Sequence, residues 1–323
     1  MNHLYYGDNS EILKKYIADE TAELCYIDPP FNSKRTYSQI YNLTLRKTPP
    51  PSPSPERRGE SQTSPPALPG KGDGGLGRSY NNIGKEDKAQ AQAFTDTWTW
   101  DDRANEGFDA IIQNSDKLMT TQMIELMIGL SKVLGRGSLL AYLVSMTQRI
   151  AQIWRVLKPT GSLYLHCDPT CSHYLKLVLD ALFCSRGGEF RNEIIWSYRR
   201  WPAKQKNFQK MHDIILRYAK SEKVIWNQQY EELAPTTLKA DKGKRILNVF
   251  DPHTGKRIRG EKTGEASPGA PMRDVWEIGI ISPTGKERLG YPTQKPEALL
   301  ERIIKAGSNE GDLVLYQFAF NTQ

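Results

Sequence analysis

One stretch constrains this chain more than any other: Leu24-Cys25-Tyr26-Ile27-Asp28-Pro29-Pro30-Phe31-Asn32. Its apolar half reads as a buried strand. Two prolines end that strand, because neither has an N–H to donate and both fix φ near one value. An acid is therefore held at the mouth of a strand, with an exposed aromatic ring three residues on. The combination suits the grip of a flat, amine-bearing ring. The Asp28 carboxylate accepts one N–H of an exocyclic amine, the Pro29 carbonyl can accept the other, and the ring stacks on Phe31. An Asp-Pro-Pro turn without chemistry has the same local signature.

The preceding residues predict a short strand at Leu4-Tyr5-Tyr6. A helix follows, with Ile12, Leu13, Tyr16 and Ile17 on one face and Ser10 as its N-cap. Strand, helix and strand, closed by an acid, predict an open α/β sheet, which binds ligands beyond the carboxyl ends of its strands. Further on, Met119, Met123, Leu126, Met127, Leu130, Val133 and Leu134 share one helical face. Gly135-Arg136-Gly137 breaks it, and Leu139, Leu143, Met146, Ile150, Ile153 and Leu157 form a second. These faces exceed what one sheet face needs, so a homodimer is possible. Lys158-Pro159-Thr160-Gly161 reads as a turn into the strand Ser162–Cys167, followed by a helix over Tyr174–Leu182. Strands near Glu193–Trp196 and Asp213–Tyr218 come next. His166, Asp168, His212 and Asp213 sit at strand ends, where polar residues are usually structural, and receive no catalytic role.

Residues 43–81 do not share this pattern. Eight prolines and the run Gly70-Lys71-Gly72-Asp73-Gly74-Gly75 lie there with no aromatic residue before Tyr80. Such a stretch cannot bury enough surface to offset its ordering entropy. Tyr41-Asn42 and Tyr80-Asn81 flank it as a small repeat. An in-frame insertion that duplicated its target is the expectation, a native flexible loop the alternative.

The chain carries a net charge of +7. Residues 197–289 hold 19 lysines and arginines against 11 acids, an excess larger than that of the whole chain. Tyr198, Trp201, Phe208, Trp226, Tyr230, Phe250 and Trp276 are interleaved with them. Basic and aromatic groups together fit phosphate contacts with base stacking; a solvated basic surface is the bland alternative. Within that window, 236–272 is rich in turn residues and poor in periodicity, as expected of a loop-rich segment that reads sequence. Cys25, Cys167, Cys171 and Cys184 have no second pair in ligand spacing, so buried free thiols and no metal site are expected. With no signal-length apolar run and no window approaching eighteen apolar residues, a soluble cytoplasmic protein without membrane contact is expected.

Near the end, Gly290-Tyr291-Pro292-Thr293-Gln294-Lys295-Pro296 leads into a helix that places Pro296 at its first position. Leu299, Leu300, Ile303 and Ile304 form its apolar face, and Gly307 its C′ residue. The strand Leu313–Tyr316 follows. Asp28–Phe31 resembles the DPPY/F signature of amino-group DNA methyltransferases. Thr293-Gln294-Lys295-Pro296 followed by Leu-Val-Leu resembles the late segment that precedes the S-adenosylmethionine loop in their β-type motif order. Gly7-Asp8-Asn9, Leu157–Ser162 and Asn192–Trp196 also resemble segments of that family, so the likeness covers nearly the whole chain outside 43–81.

The resemblance implies an open, mostly parallel sheet of Rossmann-like methyltransferase type. It further implies a site-specific enzyme of restriction-modification systems acting on double-stranded DNA, with S-adenosylmethionine as cofactor. Asp28, Pro29, Pro30 and Phe31 would be catalytic, and Thr293, Lys295 and Phe318 would bind the cofactor. An acid-first motif suggests adenine N6 as target, with cytosine N4 the alternative. The corresponding division is 1–42 and 82–226 as catalytic domain, 43–81 as disordered insertion, 227–288 as DNA target-recognition segment, and 289–323 as late helix and cofactor strand. The strand departs from the family at its end. Tyr316 stands where an acid is expected, and Phe320 and Thr322 where glycines are expected. Glycine serves there because the backbone takes positive φ and approaches the ligand closely. The expectation is a fold incomplete at the cofactor loop through frameshift or early termination. The rival readings are then an inactive DNA-binding remnant, or a methyltransferase acting on RNA or protein.

Overall fold

A computed structural model describes residues 3, 5, 7–31, 35–42, 88–96, 98–202, 204, 206–289 and 293–318. The expected insertion at 43–81 lies outside them, as do residues 319–323, which include Phe320 and Thr322, two of the three positions on which the expectation of a broken cofactor loop rests. The chain divides into two units, Met1–Ser38 with Gln92–Gln323, and Gln39–Ala91. Its elements are α1 (Asn9–Tyr16), β1 (Ala22–Asp28), β2 (Arg35–Asn42), β3 (Lys88–Asp96), α2 (Asp102–Gln113), α3 (Thr121–Leu134), α4 (Ser138–Val156), β4 (Leu157–Cys167), α5 (Ser172–Phe183), β5 (Glu189–Ser197), β6 (His212–Ala219), β7 (Tyr230–Glu231), α6 (Pro235–Asp241), β8 (Lys244–Phe250), β9 (Arg257–Ala266), β10 (Ala270–Pro271), β11 (Val275–Glu277), α7 (Glu297–Gly307) and β12 (Val314–Phe318).

Six strands form one sheet in the order β11-β5-β6-β4-β1-β12. Within it β6 runs against both neighbours and the other pairings are parallel. The mostly parallel sheet expected from the sequence is therefore present. β1 lies between β4 and β12 and is buried along its whole length, which is why it reads as a continuous apolar run. Cys25 and Ile27 enter the layer built from α1 to α5. Leu24 and Tyr26 enter the opposite layer, under Leu299 and Ile303 of α7. Each of those two fully buried side chains contributes about 1.5–3 kcal/mol of hydrophobic stabilisation.

Several local expectations are corrected. Of the expected strand Leu4-Tyr5-Tyr6 only Tyr5 is among the described residues, and it belongs to no strand. Asp8, not Ser10, caps α1, because its carboxylate accepts from the backbone N–H of Ser10 and Glu11. The expected turn Lys158–Gly161 lies within β4, as an excursion between the Ala22↔Leu157 and Leu24↔Ser162 pairs. Lys158 pairs there with the buried Glu23. Pro296 is the N-cap of α7, and Gly307 is its last residue rather than a C′ residue. A Cβ on Gly307 would stand 2.6 Å from Leu24 Cδ1 and 3.3 Å from Tyr164 Cε2, so this glycine lets the helix lie close on the sheet.

The two long apolar faces are largely buried within the chain. Met123, Met127 and Leu130 of α3 and thirteen residues of α4 are buried, while Val133 of the first face is exposed. Residues 236–272 are more regular than expected: β8 and β9 pair as an antiparallel ribbon. Leu247, Val249, Phe250 and Ile258 on it are exposed. With solvent on both faces no alternation is imposed on the sequence, so the ribbon left no period to read. Cys25, Cys167 and Cys171 are buried and in no disulfide, whereas Cys184 is exposed. Among the described residues, no helix is long and apolar enough to cross a membrane.

Candidate active site

The carboxyl ends of β1, β4, β5, β11 and β12 and the amino end of β6 meet along one edge of the sheet. Asp28 ends β1 there, and the backbone of Phe318 is its register partner on β12. The loop that enters α7 brings Thr293 and Lys295 to the same place. Lys295 Nζ donates to Asp28 Oδ2 at 2.5 Å and lies 5.5 Å from the centre of the Phe31 ring. It also reaches the Thr293 carbonyl at 3.5 Å. Pro29 and Pro30 are buried directly behind the acid. The structure thus brings Asp28, Pro29, Pro30, Phe31, Thr293, Lys295 and the Phe318 backbone together from the two ends of the chain.

The acid held at the mouth of the strand is buried. Its side chain is 3 % exposed and that of Lys295 is 8 % exposed. Phe31 is half-buried rather than exposed. A buried carboxylate requires a partner charge, and Lys295, distant in sequence, supplies it.

Two groups that sequence reasoning set aside as structural lie in this site. His166, at the end of β4, is fully buried. Its Nδ1 is 2.7 Å from the Tyr26 hydroxyl and its Nε2 is 3.2 Å from Asp213 Oδ2. Tyr198 donates to Asp213 Oδ1 at 3.1 Å, and Arg200 donates to the Tyr198 hydroxyl. Burial works against the Asp213 carboxylate, but the hydrogen bond from His166, the nearby positive charges and the Tyr198 hydroxyl outweigh it and hold its pKa below the usual range. Burial, with the charges of Asp28 and Asp213, keeps the Tyr26 hydroxyl protonated far above its ordinary range. The only sequence signal for these groups was their position at strand ends. Tyr316, on the neighbouring strand β12, stacks flat on Tyr26 with ring centres 5.2 Å apart.

The basic window separates into two kinds of aromatic residue. Tyr198 and Trp276 are core, while Trp201 and Phe208 are almost wholly exposed. Those two stand in the connection from β5 to β6, among Arg199, Arg200, Lys204, Lys206 and Lys210. The connection leaves the sheet at the edge that carries Asp28.

The family of N6/N4 DNA methylases matches residues 22–319. Relatives include the type II methyltransferase M.HpaI of Haemophilus parainfluenzae, 30% identical over 177 residues, which are 55% of this chain and 48% of that one. The DNA adenine methyltransferase YhdJ of Escherichia coli K12 is 31% identical over 171 residues, 53% of each chain. The type II methyltransferase M.BglII of Bacillus subtilis is 29% identical over 193 residues, 57% of this chain and 49% of that one. The chain spans about half the length of these relatives. A solved M1.HpyAVI–SAM complex aligns with 53% of this chain and 64% of its own, at 20% identity. Its TM-score of 0.31 is too low to support any inference. The match over residues 22–319, from the strand that bears Asp28 to the end of the strand that pairs with it, makes this chain a member of the N6/N4 DNA methylase family.

Proposed function

We propose that the site transfers a methyl group from S-adenosylmethionine to the N6 amino group of adenine in double-stranded DNA. The observation that carries this reading is the place of the Lys295 ammonium. A nitrogen donor already sits against the Asp28 carboxylate and beside the Phe31 ring, where an exocyclic amine has to sit to be activated. The acid-first motif, through its family resemblance, favours adenine over cytosine.

Adenine's amino nitrogen is a poor nucleophile because its lone pair is delocalised into the ring. Hydrogen bonds to Asp28 and to the Pro29 carbonyl draw it toward tetrahedral geometry, so the protein contributes mainly positioning and electrostatics. Extruding the base from the duplex costs a few kcal/mol. Stacking on Phe31 returns roughly 1–3 kcal/mol of it.

The residues present fit the amino-acid end of S-adenosylmethionine. Lys295 is a cation suited to its carboxylate, and Thr293 stands beside it with its carbonyl 3.5 Å from the ammonium. When bound, this cofactor supplies an electrophilic methyl group on a sulfonium. With that carboxylate bound, Lys295 would have a second partner, which would leave Asp28 free to accept from the amine. Trp201 and Phe208 among their basic neighbours, together with the β8–β9 ribbon, are the surfaces suited to the DNA.

The test is incubation of the full chain with duplex DNA and labelled S-adenosylmethionine, followed by digestion to nucleosides. N6-methyladenine is expected, and Asp28→Ala abolishes it while DNA binding persists. N4-methylcytosine in its place would overturn the adenine assignment. One observation favours the rival reading of a DNA-binding remnant: no amine reaches Asp28 while Lys295 holds it. Calorimetry showing DNA affinity without S-adenosylmethionine binding would establish that reading instead.

A further inference from the structure

We propose that Trp201 is the ring that fills the gap left in the duplex when the target base is extruded, an inference that rests on the methyl-transfer reading above. Extrusion breaks the stacking of one base on its neighbours. A side chain that restores stacking in the gap therefore favours the extruded state. Such a side chain needs a flat apolar face that stands in solvent in the free protein. It also needs cations around it for the flanking phosphates, and a place beside the site that receives the base.

Trp201 meets each requirement. It is 95 % exposed, whereas a tryptophan ordinarily hides most of its surface. Residues 198–211, the connection from β5 to β6, hold five lysines and arginines and no acid, so the whole segment attracts a phosphate backbone. The indole has a face on which any base can stack, so it serves whatever sequence flanks the target. Its root is tied to the site. Arg200, the residue before it, donates to the Tyr198 hydroxyl at 3.2 Å and lies 4.8 Å from the centre of that ring. Tyr198 donates to Asp213 Oδ1 at 3.1 Å, Asp213 Oδ2 is 3.2 Å from His166 Nε2, and the His166 ring lies against that of Phe31 with centres 5.3 Å apart. Pro202, the residue after it, disfavours helical backbone at Trp201.

The base leaves the duplex toward the edge of the sheet that carries Asp28, and Trp201 stands on the connection that rises from that edge. Its ring enters the stack as the base goes out, in the manner of an apolar wedge between base steps. Phe208 is as exposed, but it adjoins no member of the chain of contacts from Arg200 to His166, and its ring lies on the sugar and phosphate side. Trp201 touches DNA without touching the reacting atoms, so it is a positioning residue. Being uncharged, it adds stacking and no phosphate contact, and this separates its effect from that of the cations around it.

Binding of the full chain to two duplexes of the same sequence, one intact and one with a single abasic site, tests this without knowledge of the recognition sequence. The abasic site is a stack position already vacated, so the parent should prefer that duplex by about tenfold or more. Trp201→Ala should bring the two affinities within about threefold of each other, and Phe208→Ala should keep the preference. The slope of log affinity against log salt should be the same for the parent and Trp201→Ala, because no phosphate contact is lost. Equal affinity of the parent for both duplexes overturns the proposal, as does a Trp201→Ala chain that keeps the preference or binds with a shallower salt slope. Loss of the preference in Phe208→Ala alone overturns it too. The ring lies outside the core, so Trp201→Ala should keep the parent's thermal midpoint. A parent that shows the preference, loses it in Trp201→Ala and transfers no methyl group refutes the methyl-transfer reading and leaves the gap-filling ring standing. A parent that transfers methyl groups without the preference refutes the ring alone.

Discussion

Replacing Lys295 by Met removes the ammonium and keeps most of the stem, which isolates the ion pair at the centre of the site. Nζ and Asp28 Oδ2 are 2.5 Å apart, and neither side chain reaches a tenth of its full exposure. At an effective dielectric near 20, unit charges at that separation attract by about 6–7 kcal/mol. Desolvation of the two ions cancels much of this, so the pair as a whole contributes little net stability. Removal of one partner is different, because Asp28 is then left buried without its cation, at a cost of about 3–5 kcal/mol. Lys295→Met should therefore be strongly destabilising. Asp28→Asn added to it removes the stranded charge and should restore part of the loss. Urea denaturation of the parent, both single variants and the double variant at neutral pH measures this, provided the slopes agree. A Lys295→Met protein within about 1 kcal/mol of the parent, or a double variant less stable than Lys295→Met, would show that the charges are not held together in a dry site.

Gly307→Ala places a methyl group against Leu24 and Tyr164 in the packed interface of α7 and the sheet. It should cost about 1–3 kcal/mol, and an unchanged thermal midpoint would refute that packing. The Asp213 carboxyl is depressed in the folded state, so the stability it adds is present above its unfolded value, about 3.9, and is lost as pH falls through the folded value. The stability gap between the parent and Asp213→Asn should accordingly be widest near neutrality and close below about pH 4; a gap independent of pH contradicts the assignment. In the native protein Cys184 should be the only one of the four thiols to react readily with a disulfide reagent, since the other three are buried. Even its reaction should be slow, because desolvation and the charge of Asp180 raise its pKa and reduce the thiolate fraction. Rapid reaction of two or more thiols would count against the core.

Much of the fold was legible because local physics wrote it. The apolar run ended by Pro29 and Pro30 marked a buried strand and placed an acid at its end. Gly135 and Gly137 marked the break between α3 and α4. The β8–β9 ribbon was missed for the opposite reason: exposed on both faces, it needs no alternation. The breadth of the second apolar face has an internal cause, because α4 lies under α2, α3 and α5 as well as on the sheet and buries more of its circumference than one interface would.

At the site, the sequence by itself determined the acid, its prolines and its ring, since a proline-terminated strand holds these within four consecutive residues. Lys295 was visible as a family residue toward the cofactor, but its ion pair with Asp28 joins positions 267 apart. His166 and Asp213 looked like ordinary strand ends. Only the tertiary structure decided that a cation would sit on the acid and an imidazole behind it. The spacing of residues along a chain fixes secondary structure, whereas which charges share a buried volume depends on which strands become neighbours in the sheet, and the low dielectric of that volume gives their pairing its weight.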